Sequence, residues 1–182
     1  MILKKEKIIF IHVPRTSGTS IEQFLLKNRP VPDGIKHLRA SQLHKMIGPA
    51  AWNEYFKFSV IRNPWDKVIS HYHQPYYGSI NSLSGNNLKS FLQKYKPAPW
   101  EHGWQCSDFI DKDLDLIIRF EDRDAGLKKL ESQAGVYVDK NVHHKATSQR
   151  RTREYKDYYD DETREIVAHR YKDDIERFGY TF

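Results

Sequence analysis

The feature that most constrains this chain is a four-residue apolar run, Ile8-Ile9-Phe10-Ile11, followed at once by His12-Val13-Pro14-Arg15-Thr16-Ser17-Gly18-Thr19-Ser20. A continuous run of large apolar residues leaves no face for water, so it reads as a strand covered on both sides in a parallel sheet. Beyond the hydroxyl-rich stretch, Ile21, Phe24 and Leu25 recur at i, i+3 and i+4. That spacing predicts a helix from near Gly18 to about Asn28, stopped by Pro30 and Pro32. The order is strand, tight loop, helix.

The same order recurs. Phe56, Phe58, Val60 and Ile61 predict a second strand, and Asn63-Pro64 opens a helix with Trp65, Val68, Ile69 and Tyr72 on one face. A third strand is expected over Leu114 to Phe120, then a helix through Leu127 and Leu130 that ends at Gly135. Ser41 to Ile47 and Pro49 to Tyr55 read as short helical turns, residues 78–87 as a mobile loop and 141–155 as a basic loop. A final helix is predicted over 160–177, with Val167, Tyr171, Ile175 and Phe178 along one stripe. Strands joined by helical crossovers make an α/β fold with a mainly parallel sheet flanked by helices. At 182 residues the chain suits a single domain, 1–182, with a variable stretch at 76–107.

Composition narrows the function classes. Thirty Lys and Arg against 24 Asp and Glu give a net charge of +6, which favours a phosphate-bearing or polyanionic partner. The one cysteine, Cys106, excludes an internal disulfide and any four-cysteine metal site, and suits a reducing compartment. No stretch reads as a signal h-region or a membrane span, so a soluble, cytoplasmic protein is expected.

The loop at residues 12–20 carries the first chemical signal. Between a buried strand and a helix, backbone N–H groups and the helix N-terminus converge on one point, where a phosphate is favoured. Gly18 permits close backbone approach, the hydroxyls of Thr16, Ser17, Thr19 and Ser20 offer donors, and Arg15 adds fixed charge. An ATP or GTP P-loop fits poorly, because Thr19 stands where that motif has its lysine. A Ser/Thr-rich helix cap is the plainer alternative.

The second signal is Val60-Ile61-Arg62-Asn63-Pro64-Trp65-Asp66-Lys67-Val68-Ile69-Ser70. Arg62 falls at the carboxyl end of the second strand, where open α/β sheets bind ligands, and is expected to share a crevice with the first loop. Two such sites imply a ligand with two separated phosphates. Alternatively Arg62 pairs with Asp66 and Ser70 faces solvent.

Taken together, HVPRTSGTS resembles the 5′-phosphosulfate loop of sulfotransferases that use 3′-phosphoadenosine 5′-phosphosulfate (PAPS), with Arg15 where lysine is usual. VIRNPWDKVIS resembles their 3′-phosphate segment, with Arg62 and Ser70 at the binding positions. IIRFED (117–122) and YKDDIERFGY (171–180) extend the similarity to small bacterial carbohydrate sulfotransferase-like proteins. The resemblance implies a fold akin to P-loop nucleotide kinases and sulfuryl transfer from PAPS to a hydroxyl of a saccharide or other small acceptor. It also implies a catalytic histidine between the first helix and the second strand, which here is His37, with Glu22 and His12 in reserve. Cofactor contacts are assigned to Arg15, Thr16, Ser17, Gly18, Thr19, Ser20, Arg62 and Ser70, and to Lys145, Arg150 and Arg151 of the basic loop.

No metal is expected, since His71 with His73, His102 with Cys106, and His143 with His144 form no closed ligand set. Trp100, Trp104, Tyr76 and Tyr77 offer stacking faces for a sugar or serve as ordinary packing. The competing functions are a P-loop small-molecule kinase and a non-catalytic basic binder of nucleic acid or sulfated glycan. No nucleic-acid partner is expected on the leading reading, because Arg15 and Arg62 sit at strand ends rather than along a basic stripe.

Overall fold

In the computed structural model, the structure describes residues 1–26, 36–73, 87–94, 105–137 and 153–182. The chain divides into two compact units, each assembled from two separated stretches: residues 1–62 with 106–144, and residues 63–105 with 145–182.

The first unit holds a four-stranded sheet in the order β1 (Ile2–Leu3), β2 (Ile8–Ile11), β3 (Phe56–Ile61), β4 (Leu116–Arg119). β2, β3 and β4 run parallel, with Phe10 opposite Phe58 and Ser59 opposite Ile117. Every residue of β2 is buried, as the unbroken apolar run requires. β1 is antiparallel to β2 and was not foreseen, because two residues beside Lys4, Lys5 and Lys7 have no readable period. The third strand is shorter than expected: Leu114 and Asp115 precede it, and Phe120–Asp122 turns into a 3-10 helix.

Helix α1 (Gly18–Leu26) buries Ile21, Leu25 and Leu26 against Phe10, Phe58 and Val60 of the sheet. Helices α2 (Ala40–Ile47) and α3 (Pro49–Glu54) confirm the two expected helical turns. After β4 the chain forms α6 (Arg123–Ala134), stopped by Gly135 in the left-handed region at φ +65°. That helix closes on the sheet through Gly126, where a Cβ would lie 2.2 Å from Ile118 Cγ2. Ahead of β4, α5 (Cys106–Phe109) buries its cysteine.

The second unit is helical. It contains α4 (Pro64–Tyr72), a helix at Leu88–Lys94, a 3-10 turn at Tyr155–Tyr158, α7 (Asp161–Arg170) and α8 (Lys172–Phe178). Its core joins Trp65, Val68, Ile69 and Tyr72 to Phe91, Leu92, Val167 and Tyr171. Asn63 caps α4, its Oδ1 accepting from Trp65 N at 3.0 Å and Asp66 N at 3.4 Å. Trp65 Nε1 donates to Arg164 O at 3.1 Å, and the Tyr159 hydroxyl to Trp65 O at 2.9 Å.

The single C-terminal helix expected over 160–177 is two helices that meet at Tyr171. A side chain far away in sequence supplies the new start: Asp174 N donates to Gln105 Oε1 at 2.9 Å, and Gln105 Nε2 to Asp173 Oδ2 at 3.1 Å.

Candidate active site

The expected phosphate loop lies in the first unit, between β2 and α1. Two of its residues, Arg15 at φ +65° and Ser17 at φ +72°, adopt the left-handed region that non-glycine residues enter at a cost. Such a course turns successive N–H groups inward to form an anion-binding concavity. The Ser17 carbonyl accepts from Ser20 N at 3.0 Å and Ile21 N at 3.2 Å, which starts the helix.

The hydroxyls divide their work. Thr16 is fully buried and donates its Oγ1–H to Val13 O at 2.8 Å, so this O–H braces the loop, whereas the sequence had assigned it to the ligand. Ser17 and Thr19 are half-buried, and Ser20 is buried at the first turn of α1. Ser59 Oγ donates to Ile11 O at 2.8 Å, tying β3 to the end of β2 where the loop departs.

Arg62 follows β3 and is 4% exposed. Its Nη1 donates to the Arg15 carbonyl at 3.1 Å, and its guanidinium lies 4.0 Å from the centroid of the Phe120 ring. The second basic segment therefore does meet the first loop, as the strand order required. Nothing in the sequence around IIRFED marks Phe120 as its partner, because a stacking platform under a planar cation is a spatial fact with no sequence period. The cap of the helix that follows is Asn63, whose side chain accepts from Trp65 N and Asp66 N. Ser70 is buried on α4, in the second unit. Lys145, Arg150 and Arg151, like Tyr76, Tyr77, Trp100 and Trp104, lie outside the described residues, as do His102, His143 and His144 and most of the stretch 76–107.

His37 is half-buried and takes φ +62°. Its Nδ1 lies 3.2 Å from the His12 carbonyl, which can only accept, so Nδ1 carries the proton and the neutral ring keeps its lone pair on Nε2. The His37 ring also rests on the His12 ring, with centroids 4.3 Å apart. The two reserve candidates for a base are instead bound to each other: His12 Nδ1 and Glu22 Oε1 are 2.5 Å apart, with 3% and 2% of each side chain exposed. Lys36 Nζ approaches Glu22 Oε2 at 3.3 Å.

Burial pushes the His12 imidazole below its usual value, against the pull of the Glu22 hydrogen bond and charge. Burial acts on Glu22 in the raising direction, but the His12 bond and Lys36 outweigh it and hold the carboxyl below its usual range. Both directions describe a neutral His12 donating Nδ1–H to an ionised Glu22. Between the folded and unfolded values of His12 the unfolded chain binds more protons, so stability rises with pH there. This contribution is complete above the ordinary histidine value of 6.5 and declines as the pH falls below it. Urea midpoints at pH 7.5 and 5.5 should show a loss on acidification that His12→Asn reduces. Equal losses in both proteins would remove His12 as the source.

Among the described residues, no group of three or more His, Cys, Asp or Glu is arranged to hold a metal ion. No helix among them is long and apolar enough to cross a membrane.

The fold and the candidate site are thus an α/β unit in which a parallel sheet feeds a strained, hydroxyl-rich loop leading into a helix, with a buried arginine that follows the next strand set against that loop. The family model described as Sulfotransferase family matches residues 1–181, and the chain belongs to that family. It is a sulfotransferase by family, and a hydroxyl acceptor follows from that activity. No curated protein and no solved structure matches the chain.

Proposed function

We propose that the chain acts as one domain over residues 1–182 and transfers a sulfuryl group from PAPS to a hydroxyl of a saccharide or another small acceptor. The observation that carries this reading is the bond between Arg62 and the Arg15 carbonyl, which joins the two basic segments in the first unit. In the scheme, the loop N–H groups, the start of α1 and Arg15 hold the 5′-phosphosulfate, and the hydroxyls of Ser17, Thr19 and Ser20 add donors. Arg62 supports the 3′-phosphate together with Ser70, which the family resemblance assigns to that end of the nucleotide, and the charge of Lys145, Arg150 and Arg151 suits them to the same phosphate or to an anionic acceptor.

His37 accepts the acceptor's hydroxyl proton at Nε2. The acceptor oxygen forms a bond to sulfur while the bond from sulfur to the bridging oxygen breaks. The electron pair passes to the 5′-phosphate of the departing adenosine 3′,5′-bisphosphate, where Arg15 offsets the charge. Positioning and charge stabilisation carry most of such an in-line transfer.

Thermal shift tests the donor. Adenosine 3′,5′-bisphosphate should raise the melting temperature more than AMP or ATP does, because a ligand bound only by the folded state stabilises by mass action. Equal shifts for the bisphosphate and AMP would remove the 3′-phosphate site, and a dominant shift with ATP would favour the kinase reading. Arg62→Ala should abolish the preference. Since Arg62 also braces the loop at Arg15, it should weaken AMP binding to a lesser degree as well.

A further inference from the structure

The scheme above gives the His12–Glu22 pair no chemical step, yet the pair meets the loop at Gly18, helix α1 through Glu22, and His37. One edge of the His12 ring bonds Glu22 of α1. The opposite edge lies beneath Gly18, where a Cβ would fall 1.9 Å from His12 Cδ2 and 2.0 Å from Nε2. No side chain fits there. Gly18 does not need glycine for its backbone angle, since among the described residues the glycines at positive φ are Gly48, Gly135 and Gly179. Its requirement is steric, and the protein's own imidazole imposes it. The face of the same ring carries His37, whose Nδ1–H is held by the carbonyl of residue 12.

We propose that His12 and Glu22 are the positioning pair of the anion loop: Glu22 fixes the ring, the ring fixes the path of the chain at Gly18 and thereby the start of α1, and its face seats His37. The proposal rests on the reading above in taking this loop as the binding loop. A fixed template of this kind keeps the loop's N–H groups in place before the ligand arrives, so less ordering is required on binding.

The test is a double-mutant cycle. His12→Asn keeps a donor close to the position of Nδ1 and removes the ring edge beneath residue 18. Affinity for adenosine 3′,5′-bisphosphate is measured by calorimetry at a temperature where circular dichroism shows each protein folded. Gly18→Ala alone should weaken binding about 30-fold or more, while the same substitution added to His12→Asn should cost less than about threefold. Equal losses in the two backgrounds would overturn the proposal.

A second pair separates positioning from simple stability. Glu22→Gln retains an acceptor for His12 and should bind within about threefold of the parent, whereas Glu22→Leu should lose about tenfold or more while folded. Parent-like binding by Glu22→Leu would also overturn the proposal. Should the parent itself fail to bind the bisphosphate, the proposed function falls. The positioning pair is then judged by the unfolding midpoints of the same four cycle proteins, where additivity refutes it and rescue of Gly18→Ala by His12→Asn supports it.

Discussion

His37→Ala should lower sulfuryl transfer by about 100-fold or more while leaving affinity for adenosine 3′,5′-bisphosphate nearly unchanged, as expected when a general base is lost and the nucleotide loop is kept. The structural ground is the tautomer: with Nδ1–H held by the His12 carbonyl at 3.2 Å, the basic nitrogen is Nε2. The left-handed backbone at φ +62° argues in the same direction, since a non-glycine residue persists there only when its surroundings hold it. The pH profile distinguishes chemistry from packing. The parent should lose kcat on the acid side with the titration of one histidine, and the variant should show a flat, low profile. Unchanged turnover in His37→Ala would remove this residue as the base.

The second large effect is expected at Arg15. Arginine stays protonated, so it can stabilise the leaving phosphate by charge and forked hydrogen bonds but cannot hand over a proton. Arg15→Gln should therefore lose on the order of 3 kcal/mol of transition-state stabilisation, and Arg15→Lys should keep substantial activity. Both replacements inherit the same positive φ and the same carbonyl contact to Arg62, so the comparison isolates the side-chain charge. The measurement is transfer at saturating PAPS, with nucleotide affinity determined separately. If Arg15→Gln turns over as fast as the parent, Arg15 has no part in the chemistry.

Much of this architecture was legible because it follows from local pattern. Ile8–Ile11 reads as a covered strand, Asn63-Pro64 as the opening of a helix and Gly135 as the end of one, and the structure has all three. The features that escaped depend on partners remote in sequence. The break at Tyr171 is made by Gln105, and the seat of Arg62 by Phe120. Gly18 was read as glycine for the sake of the ligand, and the structure supplies the His12 ring as the reason. Thr16 and Ser17 look alike in sequence, yet one hydroxyl closes the loop on Val13 while the other residue stands half-exposed in left-handed geometry.

The interleaved division of the chain has a consequence for its synthesis. Residues 63–105 belong to a unit whose remaining half is residues 145–182, and Asn63, which caps α4, donates to Thr181 O at 2.9 Å. At the ribosome the first piece emerges long before its complement. At roughly 5–20 residues per second, the wait between Gln105 and the C-terminal helices lasts on the order of several seconds. During that interval Trp65, Val68 and Phe91 have none of the Val167 and Tyr171 surface that covers them in the finished molecule. A nascent chain that ends near residue 145 therefore presents these apolar side chains without their cover, which synthesis of α7 and α8 supplies.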